Sequence, residues 1–340
     1  MNTRPSIQSY RTNQGGRIYQ IPLLAFPGLW AYVYLVFCED LRVLIDTGSG
    51  YGESNQHLIE GLEAAGELET GKPFNVHDLT HILLTHGHID HFGGLNYLRT
   101  ICNVPVGIHE LDRRVLTNYE ERLTLVTRRL GEFLVSAGVN GDRRDQILSL
   151  YRITKGLFQS TPVDFTYETI GMTLGPLECL HVPGHCAGHV VIRLHDILFS
   201  GDHILDGITP HQAPEHLTLG TGLEHYLHSL ELLKTWADGI TLTLGGHRRP
   251  IRDLSARIDE IKRHHQERLE LLLDLLKVPR TIAELAWLLF GEVTGYNTLL
   301  ALEETEAHIE FLHERGLLRI VNFEALENTN GPLPLVYQRT

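Results

Sequence analysis

No two cysteines in this chain are spaced as C-x-x-C. The four present, Cys38, Cys102, Cys179 and Cys186, are scattered through 340 residues, so neither a disulfide framework nor a thiolate zinc site is indicated and buried free thiols are expected. Long apolar runs are lacking too: nothing approaches the ~20 consecutive apolar residues of a membrane span. The N-terminal stretch M-N-T-R-P-S-I-Q-S-Y-R-T-N-Q has no apolar segment after its charges and does not read as a secretory leader. A soluble, cytoplasmic protein without a membrane partner is expected. Positive charge is also scarce, with 29 Lys and Arg against 42 Asp and Glu and a net charge of -13. Such a field repels polyanions at long range, which disfavours nucleic acid.

Histidine is what the chain has in excess. There are 21, and histidine is both the commonest metal ligand and a group that titrates near neutrality. Three of them fall with an aspartate inside T-H-G-H-I-D-H-F-G-G, residues 85 to 94, directly after the apolar run His81-Ile82-Leu83-Leu84. Alternate side chains of a strand share a face, so His86 and His88 can point together from the end of a strand over 80–85. Asp90 and His91 then open a helix, and Gly93-Gly94 allows close backbone approach. Read only as a polar turn, the stretch would gather unpaired donors with little reason to do so without a cation.

The rest of the chain reads as alternating strands and helices. Residues 29–50 form two β-rich runs around a Glu39-Asp40 turn, and further strands are expected at 104–109, 177–183, 189–194, 196–200 and 240–244. Helical segments lie between them at 54–66, 90–101, roughly 111–160 and 222–237. This interleaving predicts a layered α/β protein. After His247-Arg248-Arg249-Pro250 the character changes. A long amphipathic helix over 254–277, a second helix N-capped by Thr281 and a third over 298–315 ending at Gly316 are expected, followed by L-L-R-I-V-N-F and L-P-L-V-Y-Q-R pairing across N-T-N-G. Three helices and a hairpin outline a winged helix, so the domains are expected at 1–256, with a helical insertion over about 111–160, and at 257–340.

The pattern His86-x-His88-x-Asp90-His91 resembles the H-x-H-x-D-H signature of the metallo-β-lactamase superfamily. Asp46-Thr47-Gly48, His185 in Pro183-Gly184-His185, Asp202 in Ser200-Gly201-Asp202 and His247 in Gly245-Gly246-His247 resemble its other motifs, in order, over residues 29 to 250. The resemblance implies a four-layer αββα sandwich with metals at the sheet edge. It implies His86, His88 and His185 as one metal site, Asp90, His91 and His247 as a second, and Asp202 as the bridge. Two divalent ions are implied, Zn first, with Mn or Fe open. Relatives with an aspartate bridge are usually binuclear, whereas classical β-lactam-hydrolysing enzymes carry cysteine there, so antibiotic hydrolysis is not expected.

Two divalent ions, two carboxylates and a bridging hydroxide leave a net charge of about +1, suited to an anionic or carbonyl oxygen and to a tetrahedral intermediate. The leading expectation is a hydrolase acting through a metal-bridging hydroxide on a small ester, thioester or lactone, resembling glyoxalase II, with Asp90 passing a proton towards the leaving group. The alternatives are an endoribonuclease or phosphodiesterase on the same site and a mononuclear iron enzyme that oxidises sulfur compounds. RNA is disfavoured by the overall charge. DNA binding is not expected, because the third C-terminal helix carries Glu303, Glu304, Glu306, Glu310 and Glu314 against Arg315 alone; packing, dimerisation or shaping of the cleft is the expected role of that segment. Asp46 is expected to hold a ligand histidine, and His189 and His203 to orient ligands. His211, Gln212 and His216, in the loop after the bridging aspartate, are candidates for substrate contact. The 111–160 insertion has nine Arg and Lys against six acids, and Arg128 and Arg129 are candidates for a cationic rim facing an anionic substrate.

Overall fold

The computed structural model describes residues 3–329, 331 and 333–340. Seven strands form one sheet in chain order: β1 (Gln8–Arg11), β2 (Arg17–Phe26), β3 (Leu29–Cys38), β4 (Leu41–Ile45), β5 (His81–Leu83), β6 (Val106–Ile108) and β7 (Phe165–Thr166). The first four are antiparallel, and β4 to β7 run parallel. Five more, β8 (Thr173–Leu174), β9 (Leu177–His181), β10 (Val190–Leu194), β11 (Ile197–Gly201) and β12 (Leu242–Gly245), make a second sheet in the order β12-β11-β10-β9-β8.

One apolar cluster joins the inner faces of the two sheets. Tyr34, Val36, Val43, Ile45 and Leu83 from the first meet Val190, Ile192, Leu194, Ile197, Phe199 and Leu244 from the second, all buried. Each such side chain removed from water contributes roughly 1.5–3 kcal/mol. Two tyrosines add polar anchors inside this core. Tyr34 donates to the Gly245 carbonyl at 2.5 Å, and the Tyr167 hydroxyl lies 2.8 Å from the Leu84 carbonyl.

The helices are α1 (Ser54–Thr70), α2 (Ile89–Phe92), α3 (Leu95–Ile101), α4 (Glu110–Thr117), α5 (Tyr119–Ser136), α6 (Gly141–Lys155), α7 (Leu223–Trp236), α8 (Leu254–Leu275), α9 (Ile282–Phe290), α10 (Tyr296–Glu314) and α11 (Phe323–Asn328). The helix expected over 90–101 is broken at Gly93-Gly94, and the one expected over 111–160 is three helices. Among the described residues no helix is long and apolar enough to cross a membrane.

By compactness the chain resolves into two units. One comprises the residues up to Tyr119 with Phe158–Pro210 and Ser229–Ile258; the other comprises Glu120–Leu157, His211–His228 and Asp259–Thr340. Residues Glu120–Leu157 of the helical insertion, expected within the first domain, therefore group with the C-terminal segment. Backbone hydrogen bonds give the reason: Ala283 N–H donates to the Ala137 carbonyl and Leu335 N–H to that of Ser136, each at 2.8 Å. Within this second unit, α8 from Asp259 onward, α9 and α10 precede a two-stranded antiparallel ribbon, β13 (Leu318–Ile320) and β14 (Tyr337–Arg339). Asn330 of the expected N-T-N-G turn lies outside the described residues. A capping box at Thr281 and Glu284 starts α9.

Not all the glutamates of α10 face solvent. Glu304 and Glu306 are buried. The Glu304 carboxylate accepts from Gln212 N–H at 2.7 Å and pairs with Arg268, while Glu310 accepts from Glu215 N–H at 2.7 Å and contacts His216 at 3.2 Å. His211 lies 3.6 Å from Glu303. The three loop residues considered for substrate contact are thus anchored to carboxylates of α10.

Candidate metal centre

Four loops that follow strands supply the candidate donors, and a fifth, after β4, supplies Asp46. The short apolar strands β4, β5, β11 and β12 each lead within one to three residues into one of these polar side chains. Asp46 follows β4 in a left-handed conformation, φ 61°, a strained backbone for a non-glycine residue that is commoner at functional sites. His86 and His88 follow β5, and His88 is the N-cap of α2, which carries Asp90 and His91. His185 lies in the β9–β10 loop, Asp202 follows β11 and His247 follows β12.

Backbone hydrogen bonds fix the loops to one another. Val190 N–H donates to the Thr85 carbonyl at 2.9 Å, linking the two sheets behind the site, and Gly246 N–H donates to the Gly201 carbonyl at 2.7 Å. Glycine is required at the tightest approaches. A Cβ at Gly93 would lie 2.1 Å from the Ser49 carbonyl oxygen, and one at Gly246 would lie 2.4 Å from His91 Cε1 and 2.5 Å from Asp202 Oδ1.

The structure brings all seven expected residues into two adjoining groups. Donor atoms of His86, His88, His185 and Cys186 lie within 4.8 Å of one another, as do those of Asp90, His91, Asp202 and His247. Asp202 reaches both. Its oxygens are 3.5 Å from His91 Nε2, 3.3 Å from His247 Nε2 and 3.9 Å from His185 Nε2. Asp90 Oδ2 is 3.3 Å from His247 Nε2. Cys186, read from the sequence as a buried thiol, has Sγ 3.2 Å from His88 Nε2; its position next to His185 was the signal available for it.

Hydrogen bonds determine which ring nitrogens face the centre. Asp46 accepts from Thr85 N–H, from the Thr85 hydroxyl and from His91 Nδ1–H, each at 2.8 Å. Since the Thr85 proton points to Asp46, its oxygen accepts from His86 Nδ1–H at 3.0 Å. His247 Nδ1–H donates to the Trp30 carbonyl at 2.7 Å. In all three rings the remaining Nε2 therefore carries a lone pair turned inward. The Nε2 atoms of His86 and His91 are buried and have no hydrogen-bond partner among the described residues. Buried polar atoms are rarely left so. An orphaned, oriented lone pair fits a cation.

The charges agree with that fit. Burial opposes protonation of His91, yet the carboxylates of Asp202, Asp46 and Asp90 outweigh it and hold its pKa well above the ordinary histidine range. At His247 burial is likewise outweighed by Asp202 and Asp90, and the pKa is raised to about 10. Burial pushes Asp90 upwards, but His91 and His247 prevail and keep it ionised. Three carboxylates in so small a volume demand positive charge, which divalent cations would supply in place of protons. His86 has the opposite bias: burial first, then His91 and His189, press its pKa well below normal, which leaves it neutral as a ligand must be.

His189 and His203 are both fully buried. His189 Nε2 accepts from Asp202 N–H at 3.1 Å, and its ring stacks on His86 with centroids 4.6 Å apart. It holds the backbone of Asp202. Burial, reinforced by His185, lowers the His203 pKa to about 3.

An α/β sandwich with this His and Asp centre where its strands end defines a metal-dependent hydrolase. The chain belongs to the metallo-beta-lactamase superfamily, whose family model matches residues 30–277. It is 27% identical over 183 residues to the probable metallo-hydrolase YqgX of Bacillus subtilis (strain 168), a match covering 52% of this chain and 67% of that protein. It is 29% identical over 175 residues to the hydroxyacylglutathione hydrolase of Shewanella baltica (strain OS195), covering 52% of this chain and 43% of that enzyme. Among solved structures, the metallo-beta-lactamase family protein TTHA1429 from Thermus thermophilus superposes with a TM-score of 0.72 at 27% identity, covering 95% of this chain and 98% of that one.

Proposed function

We propose that this protein hydrolyses a small ester, thioester or lactone at a binuclear centre, with His86, His88 and His185 holding one divalent cation, Asp90, His91 and His247 the other, and Asp202 spanning both. The observation that carries the reading is the set of buried Nε2 lone pairs turned inward by fixed partners at Nδ1. Nitrogen and carboxylate donors suit Zn, with Mn or Fe as alternatives. Such cations, when bound, supply a hydroxide nucleophile near neutral pH and a Lewis acid for the carbonyl.

The protein's own groups do the rest. Asp46 fixes the tautomers of His91 directly and of His86 through Thr85, so both rings present lone pairs without rearrangement. Asp202 is held by the His189 ring at its backbone nitrogen. Asp90, kept ionised beside His247, can accept a proton at Oδ2 and deliver it to the leaving group. The name of the Shewanella relative, a hydroxyacylglutathione hydrolase, supports a thioester as the first substrate class to try.

The test is elemental analysis of purified protein coupled to a panel of thioesters, lactones, bis(p-nitrophenyl) phosphate and single-stranded RNA. Two cations per chain and turnover of a carbonyl substrate are expected. Asp202→Ala should lower turnover by at least ~100-fold, beyond what loss of an orienting neighbour costs. Full activity in that variant with both ions retained would refute the mechanism, and turnover confined to phosphodiesters would replace the substrate class.

A further inference from the structure

Asp112 is 2% exposed and lies in the first turn of α4. Its two oxygens leave their own helix. Oδ2 accepts from Gly87 N–H at 2.7 Å and Oδ1 from Gly188 N–H at 2.9 Å. Gly87 separates His86 from His88, and Gly188 stands between His185 and His189, so one carboxylate ties together the two loops that carry the first donor group. The cap of α4 is made by another residue, His109, whose Nδ1 accepts from Leu111 N–H at 3.3 Å.

The packing around Gly188 shows how closely the helix is drawn in. A Cβ there would lie 2.6 Å from the Asp112 backbone nitrogen and 2.8 Å from Asp112 Cβ and Cγ. Real side-chain atoms do not approach so near, so any residue but glycine would push α4 and the loop apart. At Gly87 the corresponding atom would meet Val115 Cβ at 3.1 Å and Asp112 Oδ2 at 3.3 Å. Two glycines thus admit the carboxylate, and the carboxylate satisfies both buried amides with charge-assisted bonds.

We propose that Asp112 is a positioning residue for the cation held by His86, His88 and His185, acting through the Gly87 and Gly188 amides to set the spacing of those three rings. The proposal rests on the metal-centre reading above. Its signature is selectivity: the first donor group should weaken and the second should not.

The experiment measures Zn(II) affinity by competition with a chromophoric chelator in two backgrounds of the full chain. In His247→Ala only the first group is intact, and in His86→Ala only the second. Asp112→Asn keeps the side-chain volume but exchanges one acceptor oxygen for an amide that cannot accept. Added to His247→Ala, it should lower Zn(II) affinity about 10–100-fold; added to His86→Ala, it should leave affinity unchanged. Gly188→Ala should reproduce the selective loss by displacing the same helix, and it provides the measurement if Asp112→Asn does not fold by near-ultraviolet circular dichroism. Unaltered affinity in the His247→Ala background, or equal weakening in both backgrounds, would overturn the proposal. Wild-type protein that takes up no Zn(II), Mn(II) or Fe(II) would instead remove the metal-centre reading, and this inference with it.

Discussion

Two interiors of this molecule are rich in histidine and carboxylate, and they are finished differently. In the first unit, Asp46 and Thr85 occupy the Nδ1 side of His91 and His86 and leave Nε2 open. In the second, most of the donors and acceptors are taken by one another. His308 Nδ1–H donates to the Glu304 carbonyl at 2.7 Å, so His308 Nε2 accepts from His265 Nδ1–H at 3.0 Å, and the Glu304 side chain is taken by Arg268 and Gln212 N–H. Burial, then the neighbouring charges, lowers His265 to about 2 and His308 to about 3, so both rings are neutral. Of these ring nitrogens His265 Nε2 is left over, in a ring that meets the Tyr226 ring edge-on. Donor atoms of His265, Glu304 and His308 are near enough to hold an ion, but the carboxylate already has a cation in Arg268. Proximity of ligand types is therefore a poor guide by itself; a carboxylate already paired with an arginine sets this cluster apart from the proposed metal centre.

The largest effect that could break this contrast is at Asp46. In Asp46→Asn, one oxygen can still serve Thr85 N–H, but the amide must face the Thr85 hydroxyl and His91 Nδ1 with its own protons. That drives His91 to the Nε2–H tautomer and closes its lone pair. Metal affinity and turnover should fall about 10–100-fold, read by chelator competition and steady-state kinetics; unchanged affinity would mean that the tautomer is not what matters.

A second test uses charge. Burial raises the Glu306 pKa to about 7, with Glu310 adding to it and His216 opposing, so the folded chain keeps a proton that the unfolded chain releases near 4.5. Stability should then fall as pH rises from about 4.5 to 7 and level off above, by up to about 3 kcal/mol. Glu306→Gln removes that slope. Chemical denaturation at pH 5 and pH 8 should show the variant gaining on the wild type at the higher pH, and an equal gap at both would contradict the assignment.

The smallest change is expected from His308→Leu, which leaves His265 Nδ1–H without an acceptor. It should cost about 1–3 kcal/mol and leave the metal count of the protein unchanged. A metal count that fell with it would make the second cluster an ion site and dissolve the contrast.

The H-x-H-x-D-H run was legible in the sequence because three histidines and an aspartate crowd into six positions after an apolar run, whereas His185, Asp202 and His247 were reached only through the resemblance to the family's other motifs. The β3–β4 hairpin was legible because its two runs are strongly β-forming. The β1–β2 pair was not. Gln8-Ser9-Tyr10-Arg11 is polar and largely exposed, and Pro22 interrupts β2, a residue that argues against a strand interior. β7 and β8 are two residues each, too short to show a period. The burial of Glu304 and Glu306 was not legible, because acids at successive turns of a helix carry no mark of which ones face inward, and only the tertiary structure shows Glu304 taking up a loop amide and an arginine. Asp112 left no trace at all, since its partners are backbone amides 25 and 76 residues away.

The bond from Val190 to Thr85 ties one sheet to the other directly behind the donors. Sliding of one layer past the other would break that bond, so the spacing between the loop after β5 and the start of β10 is coupled to the register of the two sheets.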